Sequence, residues 1–237
     1  MAIYSHFRMP VYPLFTSMAE ALQDARPALA DHDREANNLT IIICRACLVE
    51  GILEEETHRV LRFYAAKYQK VSIPVFETRK PMNLFVNRMM EDLESRVART
   101  TGIDNYAALI NTLLGGSLLS APGLASCVEG LKVLFQLRNV IAHGRAVRAT
   151  VRWRGDSPAD GGEDFRGGYS LAERYLLKNG LIDQRFYSAE SASWIFSDNV
   201  ADHFTRVAEE FTGALTKYID AALADLEKSS LTFPLIG

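Results

Sequence analysis

Three polar side chains with complementary chemistry, Arg138, Asn139 and His143, fall inside the stretch CVEGLKVLFQLRNVIAHGRA at residues 127–146. An imidazole exchanges its proton near neutral pH, so His143 can take a proton from a hydroxyl or return one to a leaving oxygen. Arg138 is permanently charged, and its planar fork suits the negative charge that builds on a five-coordinate phosphorus. In a helix Asn139 lies one turn before His143 on the same side, where it can orient the imidazole or a substrate. Arg138 lies roughly 140° around such a helix from His143, so the two flank a groove rather than stack. Two copies facing each other would supply both an acid and a base.

The charge around these residues agrees with a phosphate partner. Between residues 132 and 154 stand six basic residues, Lys132, Arg138, Arg145, Arg148, Arg152 and Arg154, and no acidic one. Trp153 stands among them and can stack on a base. Lys132, Arg145, Arg148, Arg152, Trp153 and Arg154 are therefore the candidate nucleic-acid-binding residues. The whole chain carries a formal net charge of −3, so a nucleic acid would be held by this stretch and not by a global field. A plainer reading stands beside this one. A histidine near a helix C-terminus interacts well with the helix dipole, and a basic run can be a solvated edge. Glu50 lies in the most apolar part of a long helical pattern and needs a partner there, Arg138 or Arg45. A supporting role in the chemistry is its other reading.

The remaining constellations are weaker. Cys44-Arg45-Ala46-Cys47 has C-x-x-C spacing, but a zinc site needs two further ligands and there is no second such pair. These cysteines and Cys127 read as core residues. Glu55-Glu56-Thr57-His58 contains the E-x-x-H spacing of carboxylate-bridged di-iron bundles, which requires a second copy. It reads as a solvated helix face. No phosphate-cradling glycine loop is present, and no metal or cofactor is expected.

These residues need a scaffold. The chain has 237 residues, of which 48% are hydrophobic, enough for a sizeable core. Its three cysteines are not a disulfide framework and fit a reducing, cytoplasmic setting. The N-terminus does not read as a signal peptide, and no stretch reads as a membrane span. Asn38-Leu39-Thr40 forms a sequon that reads as chance.

Residues 1–15, with Pro10 and Pro13, read as an extended arm, and residues 16–29 as a short helix. The longest helical pattern runs from Asp33 to about Tyr68, with Leu39, Ile42, Ala46, Val49, Leu53, Val60, Phe63 and Ala66 as its stripe. Helices follow at residues 82–100 and 104–114, with Asp104 as a cap, and a loop at 115–123. In the motif helix Val128, Leu131, Leu134, Phe135 and Ile141 face the core, and Gly144 suits its end. Val147, Thr150, Val151 and Trp153 suggest a short strand or an irregular edge, and residues 155–168 a glycine-rich loop. A helix at 169–179 ends at Gly180. Asp198 opens the last long helix, whose apolar residues step by three and four to about Lys228. The expected fold is all-α, an antiparallel helical bundle with a short irregular or β-like segment after the motif helix.

Arg138-Asn139-x-x-x-His143 resembles the R-x4-6-H signature of the HEPN superfamily, including the Asn that often follows its Arg. The setting is similar too: a late core helix carries the signature, after a long early helix with an acidic residue, here residues 39–54. Tyr175-Leu176-Leu177-Lys178-Asn179-Gly180-Leu181-Ile182 and the closing helix also look like the ends of such domains. The resemblance covers residues 33–227. It implies an HEPN-like domain at 33–237, with residues 1–32 as an arm and short helix packed on it. It further implies a metal-independent endoribonuclease with Arg138, Asn139 and His143 as catalytic residues. Many such proteins are toxins or antiviral defence effectors and act as homodimers. RNA is then the substrate, and an antitoxin or regulatory protein a further partner. A non-catalytic module that binds RNA, a nucleotide or a protein is the alternative within the same family.

Overall fold

The computed structural model describes residues 11–70, 79–142, 153–154, 157–158, 169–182 and 196–228. Among them run seven α-helices: α1 (Tyr12–Ala25), α2 (Asp31–Lys70), α3 (Arg79–Val97), α4 (Ile103–Leu114), α5 (Val128–Ala142), α6 (Tyr169–Lys178) and α7 (Asp198–Lys228). After the motif helix α5, β1 (Trp153–Arg154) and β2 (Ser157–Pro158) pair antiparallel, with Trp153 opposite Pro158. The fold is all-α, a helical bundle.

Packing divides the chain into two compact units. The first comprises Met1–Val49 and Ser126–Glu210, the second Glu50–Ala125 and Phe211–Gly237. In the first unit Ile41, Ile42, Leu131, Leu134, Leu176 and Phe204 are fully sealed from solvent. Each such side chain contributes about 1.5–3 kcal/mol through burial. A polar seam sets the register of the helices around them. Asn38 is 1% exposed. It donates to the Phe196 carbonyl at 2.7 Å and to Asp198 Oδ1 at 2.8 Å. Arg26 reaches Asp202 at 2.6 Å and Asn38 Oδ1 at 3.3 Å. The sequon asparagine is thus a buried strut. α6 packs on α5, with Lys178 paired to Glu129 at 2.9 Å. α6 ends as its sequence signals. Gly180 takes φ +64°, and the Leu181 and Gly180 amides return to the carbonyls of Leu176 and Leu177. Those bonds satisfy carbonyls that the helix end leaves open.

In the second unit Leu53, Leu61, Ile110, Leu118, Leu124, Phe211, Leu215 and Ile219 form the core. The Tyr64 hydroxyl donates to the Leu113 carbonyl at 2.6 Å, covering the end of α4.

The periodic patterns of α2 and α7 match burial closely. Ile42, Ala46, Val49, Leu53 and Val60 are buried along α2, and Val200, Phe204, Val207, Phe211, Leu215 and Ile219 along α7. Some expectations need correction. The arm does not extend to residue 15: α1 starts at Tyr12, with Pro13 in its first turn. Proline lacks the amide that a first turn cannot use anyway, so Pro13 starts this helix. α2 begins at Asp31, with both Asp31 and Asp33 at the positive end of its dipole. Ala66 is exposed. Gly102, not Asp104, holds the N-cap of α4, and Asp104 sits in the first turn. Ser157 and Pro158 form β2 inside the stretch read as loop. By length and composition α2 is also apolar enough to cross a membrane, contrary to the sequence reading, and 56% of its apolar window is buried within the protein.

Candidate functional site

α5 positions the motif. Leu131, Leu134, Phe135 and Leu137 bury one side of it, which leaves its polar residues at the boundary. Arg138 is half-buried, and its guanidinium carbon stands 5.5 Å from the centre of the Phe135 ring. A cation over a ring face at that range gains about 0.5–1 kcal/mol where water still reaches it. Phe135 is itself 6% exposed, so the guanidinium rests on a fixed platform. Asn139 is exposed in the last turn, and Lys132 is exposed as well. The two are seven residues apart, so they share a face about 10 Å from end to end. α5 thus sets Asn139 and Lys132 on one exposed face, with Arg138 about 100° around the helix from Asn139, against Phe135.

The rest of the motif lies beyond these positions. His143, Arg145, Arg148 and Arg152 are outside the described residues. The backbones of Trp153 and Arg154 form β1. Glu50 belongs to the second unit, where its Oε1 accepts the Gly102 amide at 3.1 Å. A carboxylate there faces the positive end of the α4 dipole. Of the two partners read for Glu50, Arg138 or Arg45, the second is engaged by other groups. Arg45 is 2% exposed and reaches Gln23 Oε1 at 3.1 Å and Glu209 Oε1 at 3.4 Å.

Two of the three thiols behave as core groups, and Cys47 is only half-buried. Cys44 and Cys127 are buried, and burial pushes both thiols above their ordinary pKa. A thiol held protonated is a poor nucleophile. The E-x-x-H stretch is not a solvated face, because Glu56 is 7% exposed and Thr57 is sealed. Glu56 meets Arg59 at 2.9 Å and accepts from Thr216 at 3.2 Å, while Arg59 also holds Asp220 at 2.7 Å. Burial raises the Glu56 pKa, against the opposing pull of Arg59. Among the described residues no three His, Cys, Asp or Glu side chains gather as metal ligands.

One pair escaped the sequence reading. Tyr175 Oη on α6 lies 2.7 Å from His203 Nε2 on α7. Its one sequence signal is Gly130, an isolated glycine inside a helical pattern, which marks a close approach.

No family model, curated protein or solved structure matches the chain.

Proposed function

We propose that the chain is a metal-independent endoribonuclease of HEPN type, a cytoplasmic toxin or defence effector that works as a homodimer. The observation that carries this reading is the end of α5. Arg138 rests on Phe135, and Asn139, the next residue, stands exposed in the last turn of a helix that runs to Ala142. In the proposed reaction His143 of one copy removes the proton of an RNA 2′-hydroxyl. The 2′-oxygen attacks the neighbouring phosphorus, and the bond to the 5′-oxygen breaks. His143 of the second copy protonates that leaving oxygen. The products are a 2′,3′-cyclic phosphate and a 5′-hydroxyl, with no metal required for the balance. Arg138 stabilises the charge on the phosphoryl oxygens, and Asn139 orients the imidazole or the substrate. Lys132 and the basic residues after α5 hold the RNA backbone, so binding weakens with salt.

The test is cleavage of mixed cellular RNA in EDTA. The wild type should cut and leave cyclic-phosphate ends. His143→Ala and Arg138→Ala should lose about 10²–10⁴ in rate with an unchanged helical circular-dichroism spectrum. Equal cutting by wild type and His143→Ala would overturn the assignment. RNA retained without cleavage by the wild type would replace it with a binding module.

A further inference from the structure

α5, α6 and α7 of the first unit meet around a single hydrogen bond. Tyr175 is 7% exposed, and its hydroxyl lies 2.7 Å from His203 Nε2. The Phe204 ring stacks on Tyr175 at 6.3 Å between centroids and meets the imidazole edge-on at 5.4 Å. α5 closes the remaining side with Gly130. A Cβ there would stand 2.6 Å from the Tyr175 hydroxyl and 3.1 Å from Val207 Cγ1. The glycine is thus a notch that the phenol end fills.

Among the described residues, His203 is the one hydrogen-bond partner of the Tyr175 hydroxyl. With a neutral ring the hydroxyl donates, Nε2 accepts, and the imidazole proton sits on Nδ1. Adding a proton turns Nε2 into a donor. The hydroxyl must then accept, and its own hydrogen is left in the notch between Gly130, Val207 and Phe204. A buried donor without an acceptor destabilises the arrangement that holds it.

The charges around the pair favour the neutral ring. Burial holds the imidazole pKa below its ordinary value, Arg206 on the same helix adds to this, and Glu210 opposes it. On the Tyr175 side burial raises the hydroxyl pKa, with Glu129 of α5, Cys127 just before that helix and Glu210 adding to it. Lys178 of α6 is engaged by Glu129.

We propose that Gly130, Tyr175 and His203 form a pH-sensitive latch between α5, α6 and α7, closed while His203 is neutral and loosened when it takes a proton. The unfolded chain binds the His203 proton more readily than the folded one. Stability from the latch is therefore complete above the ordinary histidine range. It is lost as pH falls through that range to the lower folded value. The latch acts on α5, the helix that carries Arg138 and Asn139, but it does not depend on the ribonuclease reading.

Two measurements test it. The first is an NMR titration of the His203 ring in the wild type. The expected pKa is below about 6.5, and a value at or above it would overturn the latch. The second is hydrogen exchange of α6 amides, corrected for intrinsic rates, at about pH 7.5 and about pH 5.5. Wild-type protection should fall by up to about tenfold between the two, the limit set by an end point about one pH unit below the ordinary histidine pKa, while α4 serves as an internal reference. His203→Gln and Tyr175→Phe should flatten that fall. An identical pH course in wild type and variants would sink the proposal. Should either variant fail to fold, the wild-type titration still decides.

Discussion

Replacing Gly130 with alanine sets two opposed effects of known size against each other. In a helix interior alanine is better than glycine by about 0.8–1.0 kcal/mol. The added methyl, however, would lie 2.6 Å from Tyr175 Oη, 3.1 Å from Val207 Cγ1 and 3.3 Å from Tyr175 Cζ. A free phenol would swing aside at small cost. Tyr175 is 7% exposed, stacked on Phe204 and bonded to His203, so it has nowhere to go. Overpacking a filled core costs about 1–3 kcal/mol, and losing the hydroxyl's bond costs about 0.5–1.5 kcal/mol more. The sum is a net loss of about 0.5–3.7 kcal/mol. Gly213 supplies the control. It is a helical glycine of α7, exposed, with nothing within 4 Å of an added Cβ. Gly213→Ala should therefore gain the full propensity term. Calorimetric melting and urea midpoints at neutral pH measure both variants. About 2–4 °C of melting temperature per kcal/mol is expected for a chain of this size. Gly130→Ala should melt below the wild type and Gly213→Ala above it. A Gly130→Ala variant as stable as Gly213→Ala would show that the notch is not filled, and the latch would fall with it.

Other outcomes follow from buried polar groups. Arg45→Met should be neutral or stabilising, by up to about 1–4 kcal/mol, because an apolar isostere removes a desolvated charge. Its partner Glu209 has a side chain 58% exposed and keeps its water. Arg45→Ala should instead cost about 2–5 kcal/mol through the cavity it leaves, and urea unfolding that ranks Met no better than Ala would refute this. Glu56 carries a raised pKa, so the folded chain binds its proton more tightly than the unfolded chain. Stability should fall as pH rises from the ordinary carboxylate value through the raised one. Glu56→Gln should flatten that fall in urea midpoints taken across the acid range, with Arg59 still held by Asp220. The same slope in both proteins would mean that Glu56 does not titrate there.

The helices were largely legible in the sequence because their signals are local. A stripe stepping by three and four fixes which side of α7 is buried, whatever it packs on. Gly180 ends α6 through its own left-handed backbone. The extended reading of residues 12–15 fails because proline, a breaker inside a helix, is a starter at a first turn, where Pro13 stands. The Arg138-Asn139 pair was visible for the same reason, since one helix sets both spacing and face. Its platform was not visible as such: Phe135 read as a core residue, and only the side-chain arrangement lays Arg138 on it.

What the sequence determined by itself is the set of helices, their apolar faces and the polar motif at the end of α5. Those features depend on neighbours a few residues away along the chain. Only the tertiary structure decided which polar groups are buried and what they meet. Glu56 is sealed, not solvated, Arg45 turns to Gln23 and Glu209, and His203 finds Tyr175 against Gly130. Each of these partners comes from a different helix, and no spacing within one helix encodes which other helix will lie across it.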